Sequence, residues 1–178
     1  MRIINTGLTS VHIIEPTTHK DLRGSFAKFF NSREFGEAGL ERDFRESYYS
    51  VSAKNVIRGM HFQVPPADHS KLVYVPHGAI LDVVLDIRKK SKTYGKFIET
   101  ELSGKNSRVI YIPKGCAHGF LSLEDGSVCV YMQTSVYSAA NDCGIKWDSF
   151  GMDWPCSNPG LSDRDRSFLP LCEYTSPF

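Results

Sequence analysis

Three things are scarce in this chain. Net charge is only +1 over 178 residues, so no broad electrostatic field marks nucleic acid or a membrane surface as the partner. The five cysteines (Cys116, Cys129, Cys143, Cys156 and Cys172) are odd in number and form no CxxC pair. That excludes a disulfide framework and fits reduced thiols in a cytoplasmic protein. No apolar run approaches the ~20 residues a spanning helix needs, and Met1–Pro16 holds one early Arg without the apolar segment of a leader. Repeats, low-complexity tracts and linkers are absent as well. The length suits a single domain, 1–178, with one sizeable core.

What is present favours sheet. Aromatic residues make up 12%, with 14 Gly and 9 Pro, a composition suited to strands separated by many turns. Short β-type runs recur at Val11–Ile14, Gly24–Phe30, Ser47–Ala53, Val56–Phe62, Leu72–Val75, Ala79–Ile87, Tyr94–Leu102, Val109–Ile112, Gly119–Leu123 and Val128–Ser135. Their close spacing predicts an all-β sandwich or barrel. Within AILDVVLDI (79–87), Asp82 and Asp86 fall on one strand face. Only Ser32–Gly39, capped by Ser32, and a turn at Ser162–Arg166 read as short helices.

Three groupings carry chemistry. In Arg58-Gly59-Met60-His61-Phe62-Gln63, His61 and Gln63 share a strand face, whereas Arg58 joins them only if a bulge intervenes, with Gly59 the natural place for it. Lys71 follows. In Ile112–Phe120 a Pro/Gly turn delivers His118 to the start of a strand, and Tyr131 sits mid-strand thirteen residues later. Singly, each has a plain structural reading: a core histidine, a solvated lysine, a core tyrosine.

Together they resemble the sugar-nucleotide 3,5-epimerases. The matching strings are D-x-R-G-x-F (Asp21, Arg23, Gly24, Phe26), V-I-R-G-M-H-F-Q (Val56–Gln63), K-L-V-x-V-x-x-G (Lys71–Gly78) and D-V-x-x-D-x-R-x-x-S-x-T-Y-G (Asp82–Gly95). I-P-x-G-x-A-H-G-F (Ile112–Phe120), I-K-W-D (Ile145–Asp148) and L-S-x-x-D (Leu161–Asp165) follow in order. The resemblance implies a cupin-like antiparallel jelly-roll barrel with a few short helices, a homodimer with exchanged strands, and a nucleotide-diphosphate-sugar substrate.

A 4-keto-6-deoxy sugar has acidic hydrogens at C3 and C5. Inverting either carbon requires a base on one face, an acid on the other and a group to hold the enolate oxygen. His61 suits the base because an unperturbed imidazole titrates near neutrality. The resemblance assigns Asp165, with Asp163 nearby, to orient it, and Tyr131 to the acid. Lys71 is the natural partner of the C4 oxyanion. His118 lines the same pocket as a neutral donor, and Arg23 and Arg58 chelate the diphosphate. Phe26, Gln63, Glu46, Tyr48, Tyr137 and Asp142 complete the expected substrate contacts.

No metal is expected. A metal cupin supplies two His one residue apart, then a Glu and a distant His, whereas Gln63 stands at the second His position here and Lys71 brings a cation. A three-His site from His61, His69 and His118 remains the alternative.

The chain departs from the family in places. Family members commonly read F-x-Q-x-N-x-S before the R-G-x-H string, where this chain has Phe44-Arg45-Glu46-Ser47-Tyr48-Tyr49-Ser50. Lys28 replaces a usual acid, and Val136-Tyr137 a Tyr-Tyr pair. These changes leave open the nucleotide carrier and whether C3, C5 or both are inverted. A 3,4-ketoisomerase, a metal-dependent cupin and a non-catalytic sugar-nucleotide-binding barrel are the competing readings.

Overall fold

A computed structural model describes all 178 residues. Strands β1 (Arg2–Asn5), β2 (His12–Glu15), β3 (Thr18–Asp21) and β4 (Gly24–Ala27) precede helix α1 (Ser32–Glu37). Strands β5 (Glu46–Ser52), β6 (Ile57–Gln63), β7 (Lys71–His77), β8 (Ala79–Asp86), β9 (Phe97–Ser103), β10 (Val109–Ile112), β11 (Cys116–Ser122), β12 (Ser127–Gln133) and β13 (Asp142–Gly144) follow, then helix α2 (Asp163–Ser167) and a 3-10 turn at Leu171–Glu173.

Every pairing between these strands is antiparallel. One sheet has six strands in the order β1-β2-β10-β7-β12-β5, the other five in the order β13-β6-β11-β8-β9, and β3-β4 form a separate hairpin. The two larger sheets pack face to face as a jelly roll, the cupin-like architecture expected from the sequence.

Three apolar layers result. The inter-sheet core takes Val73, Val75, Ile110, Ile112 and Cys129 from the six-stranded sheet and Ile80, Val84, Leu102 and Phe120 from the other. The outer face of the five-stranded sheet presents Ile57, Val83, Leu85, Ala117 and Leu121 to the C-terminal segment, including Trp154, Leu171, Tyr174 and Phe178. The outer face of the six-stranded sheet packs Ile14, Leu72, Val109 and Tyr111 against Phe35 of α1. β8 is therefore covered on both faces, which explains its near-continuous apolar run. Asp82 and Asp86 do share the inner face with Ile80 and Val84, as their spacing predicts.

Several boundaries moved. Asn31, not Ser32, caps α1, its Oδ1 accepting from the N–H groups of Arg33 (3.0 Å) and Glu34 (3.4 Å). The strand expected over Gly24–Phe30 stops at Ala27, because Phe29 and Phe30 turn inward, Phe29 stacking on Tyr74 at 4.2 Å. Residues 94–96 belong to a turn instead of β9. There the buried Asp86 accepts from Arg88, Ser91 and Thr93 while Gly95 N–H donates to the Asp86 carbonyl. α2 confirms the short helix at the end of the chain, capped by Ser162.

Candidate active site

The two sheets diverge around a cavity of about 490 Å³, lined from β5, β6, β7, β11 and β12 and from the segments that carry Tyr137, Asp142 and Arg164. His61 and Arg58 both line it, although three residues of a regular strand would separate their faces. The reason is a register shift between β6 and β11: His61 pairs with His118, but Arg58 already pairs with Phe120. Gly59 and Gly119 make this bulge possible. A Cβ on Gly59 would lie 2.5 Å from the Cα of Gly119, and one on Gly119 would lie 2.6 Å from the Met60 sulfur.

His61 is held by Asp165, with Nε2 2.7 Å from Oδ1. Burial pushes the Asp165 carboxyl up, but the His61 hydrogen bond and charge, the Gly59 N–H and Ser162 outweigh it, and the net shift is downward. An ionised Asp165 fixes the proton of a neutral ring on Nε2, so Nδ1 carries the lone pair. Phe168 closes one side of the imidazole edge-on at 5.7 Å.

A second His–Asp pair lies alongside. His118 Nε2 is 2.7 Å from Asp82 Oδ2, both residues buried. Where a neutral His118 donates its proton to an ionised Asp82, its other nitrogen is an acceptor.

Tyr131 approaches from the opposite sheet. It is 7% exposed, and burial, with the Cys129 thiol beside it, pushes its phenol well above the usual range, so it stays protonated. Ser50 Oγ is 3.3 Å from its hydroxyl. Lys71 is buried too. Its ammonium donates to the His61 carbonyl at 3.2 Å, leaving two of three donors free. Burial pulls its pKa down to about 8 against the opposing pull of Asp142 and Asp82.

Arg58 lines the cavity as a charged group. It is anchored by Ser52 Oγ (3.0 Å) and the Val51 carbonyl (3.2 Å), neither of which neutralises it. Glu46, Tyr48, Tyr137 and Asp142 line the cavity too.

Three expected roles take a different form within this chain. Arg23 and Phe26 lie outside this cavity, on the exposed β3–β4 hairpin, where Arg23 pairs with Asp21 at 2.6 Å and Phe26 is 60% exposed. That hairpin pairs with neither large sheet. Gln63 reaches the cavity wall, but its amide donates to the Ala67 and Val136 carbonyls and accepts from the Ser138 N–H. It orders the 135–138 segment. Nor do His61, His69 and His118 converge: no group of three or more His, Cys, Asp or Glu side chains is placed to hold a metal ion.

Sequence reasoning missed Arg164, Ser50 and Gln133. Arg164 lines the pocket, bonded to Asp142 at 2.7 Å and set over the Phe168 ring at 5.0 Å. Its position beside Asp165 in L-S-x-x-D was the available signal. Gln133 lies two residues beyond Tyr131 and so on the same strand face, which strand periodicity alone would have flagged.

A family model described as dTDP-4-dehydrorhamnose 3,5-epimerase matches residues 5–173. The dTDP-4-dehydrorhamnose 3,5-epimerase of Shigella flexneri is 42% identical over 168 residues, covering 93% of each chain. The crystal structure of the same enzyme from Bacillus anthracis, with TDP and PPi bound, superposes with a TM-score of 0.92 at 36% identity, over 95% of this chain and 98% of that one. A Legionella pneumophila dTDP-6-deoxy-D-glucose-3,5-epimerase in complex with dTDP-4-keto-L-rhamnose gives 0.93 at 35% identity, over 98% and 94%. With His61, Tyr131 and Lys71 lining one cavity and Asp165 bonded to His61, the chain belongs to the dTDP-4-dehydrorhamnose 3,5-epimerase family, a family of isomerases.

Proposed function

We propose that the protein epimerises C3 and/or C5 of a nucleotide-linked 4-keto-6-deoxyhexose, with His61 as base and Tyr131 as acid. The observation that carries this reading is their placement: His61 projects from the five-stranded sheet and Tyr131 from the six-stranded sheet, into one cavity. A sugar ring lying between them has the base on one face and the acid on the other.

His61 takes the proton from the carbon beside the ketone, and the C–H electron pair becomes the enolate. Lys71, a buried cation with free donors, stabilises the charge on the C4 oxygen; removing one such donor elsewhere costs roughly 2.7–4 kcal/mol. Tyr131 then delivers its phenolic proton to the opposite face and the ketone reforms. Solvent takes the proton from the imidazolium and restores that of the phenolate, so nothing is consumed. The raised pKa of Tyr131 suits this step, because the phenol keeps its proton until a strongly basic carbanion draws it off.

Arg58 and Arg164 supply positive charge for the diphosphate-linked nucleotide, and Tyr137 an exposed ring for the base. A second copy of the chain completes the site by contributing its β3–β4 hairpin, with Arg23 and Phe26. Leu22, at 107% exposure on the hairpin turn, supports this. The five unpaired thiols support a reducing cytoplasmic setting, and no helix is long and apolar enough to cross a membrane. The direct test follows solvent deuterium into a dTDP-linked 4-keto-6-deoxyhexose by NMR. Label at C3, C5 or both supports the reading, and no exchange with dTDP, UDP or GDP carriers overturns it.

A further inference from the structure

Tyr48 stands where family members commonly carry Asn, and the structure gives it a specific neighbour. β5 and β12 pair so that Tyr48 lies directly across from Tyr131. The two rings stack at 4.8 Å with an interplanar angle of 20°. The Tyr48 hydroxyl in turn accepts from the Gln133 amide. Gln133 is buried and projects from the same face of β12 as Tyr131. On its remaining sides Tyr131 meets the edge of His118 at 6.1 Å and 71° and the hydroxyl of Ser50.

We propose that Tyr48 is a positioning residue: with Gln133 it clamps the ring of Tyr131 in the one orientation that delivers a proton to the substrate. This rests on Tyr131 being the acid. An aromatic ring constrains a stacked partner over its whole face, whereas the short side chain of Asn leaves that face open. Without the clamp Tyr131 gains a second orientation, in which its hydroxyl turns away from the carbon. Proton removal by His61 on the opposite sheet is untouched. The enolate is then reprotonated from the side it lost its proton, so hydrogen exchanges without inversion. A stacked pair biases a conformational equilibrium by a factor of roughly two to ten, and the exchange-to-inversion ratio should rise by about that factor.

The experiment compares the full-length protein with Tyr48→Asn, Tyr48→Phe and Gln133→Met. One readout is the ratio of deuterium incorporated to product inverted, measured by NMR in D2O with a dTDP-linked 4-keto-6-deoxyhexose. The other, which needs no substrate, is the 19F signal of Tyr131 in 3-fluorotyrosine-labelled protein, assigned by its loss in Tyr131→Phe. Tyr48→Asn is expected to raise the ratio and to broaden or split the Tyr131 signal. Tyr48→Phe, which keeps the stack but loses the hydroxyl that Gln133 holds, should raise the ratio by less than Tyr48→Asn. Gln133→Met should shift both readouts in the same direction as Tyr48→Asn, by less, and serves in its place if that variant does not fold. An unchanged Tyr131 signal, or exchange and inversion falling together, would overturn the proposal by making Tyr48 a simple wall or substrate contact. If wild-type protein exchanges no deuterium, the epimerase reading fails, and the fluorine signal still decides whether Tyr48 holds Tyr131.

Discussion

In the proposed reaction His61 and Tyr131 each take one half-step, and single substitutions should separate them. His61→Ala removes the only imidazole whose lone pair is set by Asp165; deuterium exchange should fall by at least the 10²–10⁴-fold, roughly, that a general base contributes. Tyr131→Phe should keep measurable exchange while losing inversion, as read by NMR of the product. Lys71 sets a pH limit. Its pKa is lowered to about 8, so the cation facing the enolate oxygen is present below that value and lost above it. The profile of kcat/KM should descend on its alkaline side near pH 8, and Lys71→Met should lower the rate and abolish that limb. The identity of these residues was legible from their order along the chain. Their partners were less so, because Arg164, Gln133 and Asp82 are joined to the site by side-chain contacts across strands far apart in sequence.

At the level of elements, the β6–β11 bulge decides whether the site exists. Without the shift in register, Arg58 and His61 would point to opposite faces. Gly119→Ala places a Cβ 2.8 Å from the Arg58 carbonyl as well as against Met60, and overpacking of this kind costs about 1–3 kcal/mol. Chemical denaturation should show that loss, with exchange activity falling further than stability alone explains. The strand pattern was read correctly where the run of strand-forming residues was seven or eight long, as in β5, β6, β8 and β12. It failed for β1, β3 and β13, which are three or four residues long and owe their extended form to pairing with neighbours. The β3–β4 hairpin shows the limit most clearly: its motif was recognised, but a motif does not state whose cavity it serves. Arg23→Ala should weaken nucleotide binding in titration calorimetry while leaving the far-UV spectrum unchanged, since Arg23 hydrogen-bonds only with Asp21 within its own chain.

The whole molecule carries its cavity at a cost in acid stability. His69 is buried against Lys71 and its pKa is pushed down to about 3, from an ordinary 6.5. Between those values the unfolded chain binds a proton that the folded protein refuses, so stability is intact above pH 6.5 and declines as pH falls toward 3. His69→Gln should flatten that decline in thermal melts taken across the interval. Assembly belongs to this scale as well: a dimer should appear in analytical ultracentrifugation, and deletion of residues 18–27 should both weaken it and abolish nucleotide binding. Proton traffic across the cavity between the two sheets underlies the whole proposed reaction. Its most direct test is deuterium incorporation into a dTDP-linked 4-keto-6-deoxyhexose, comparing wild type with His61→Ala and Tyr131→Phe. The account predicts exchange with inversion, no exchange, and exchange with little inversion, respectively; wild-type rates in His61→Ala would contradict it.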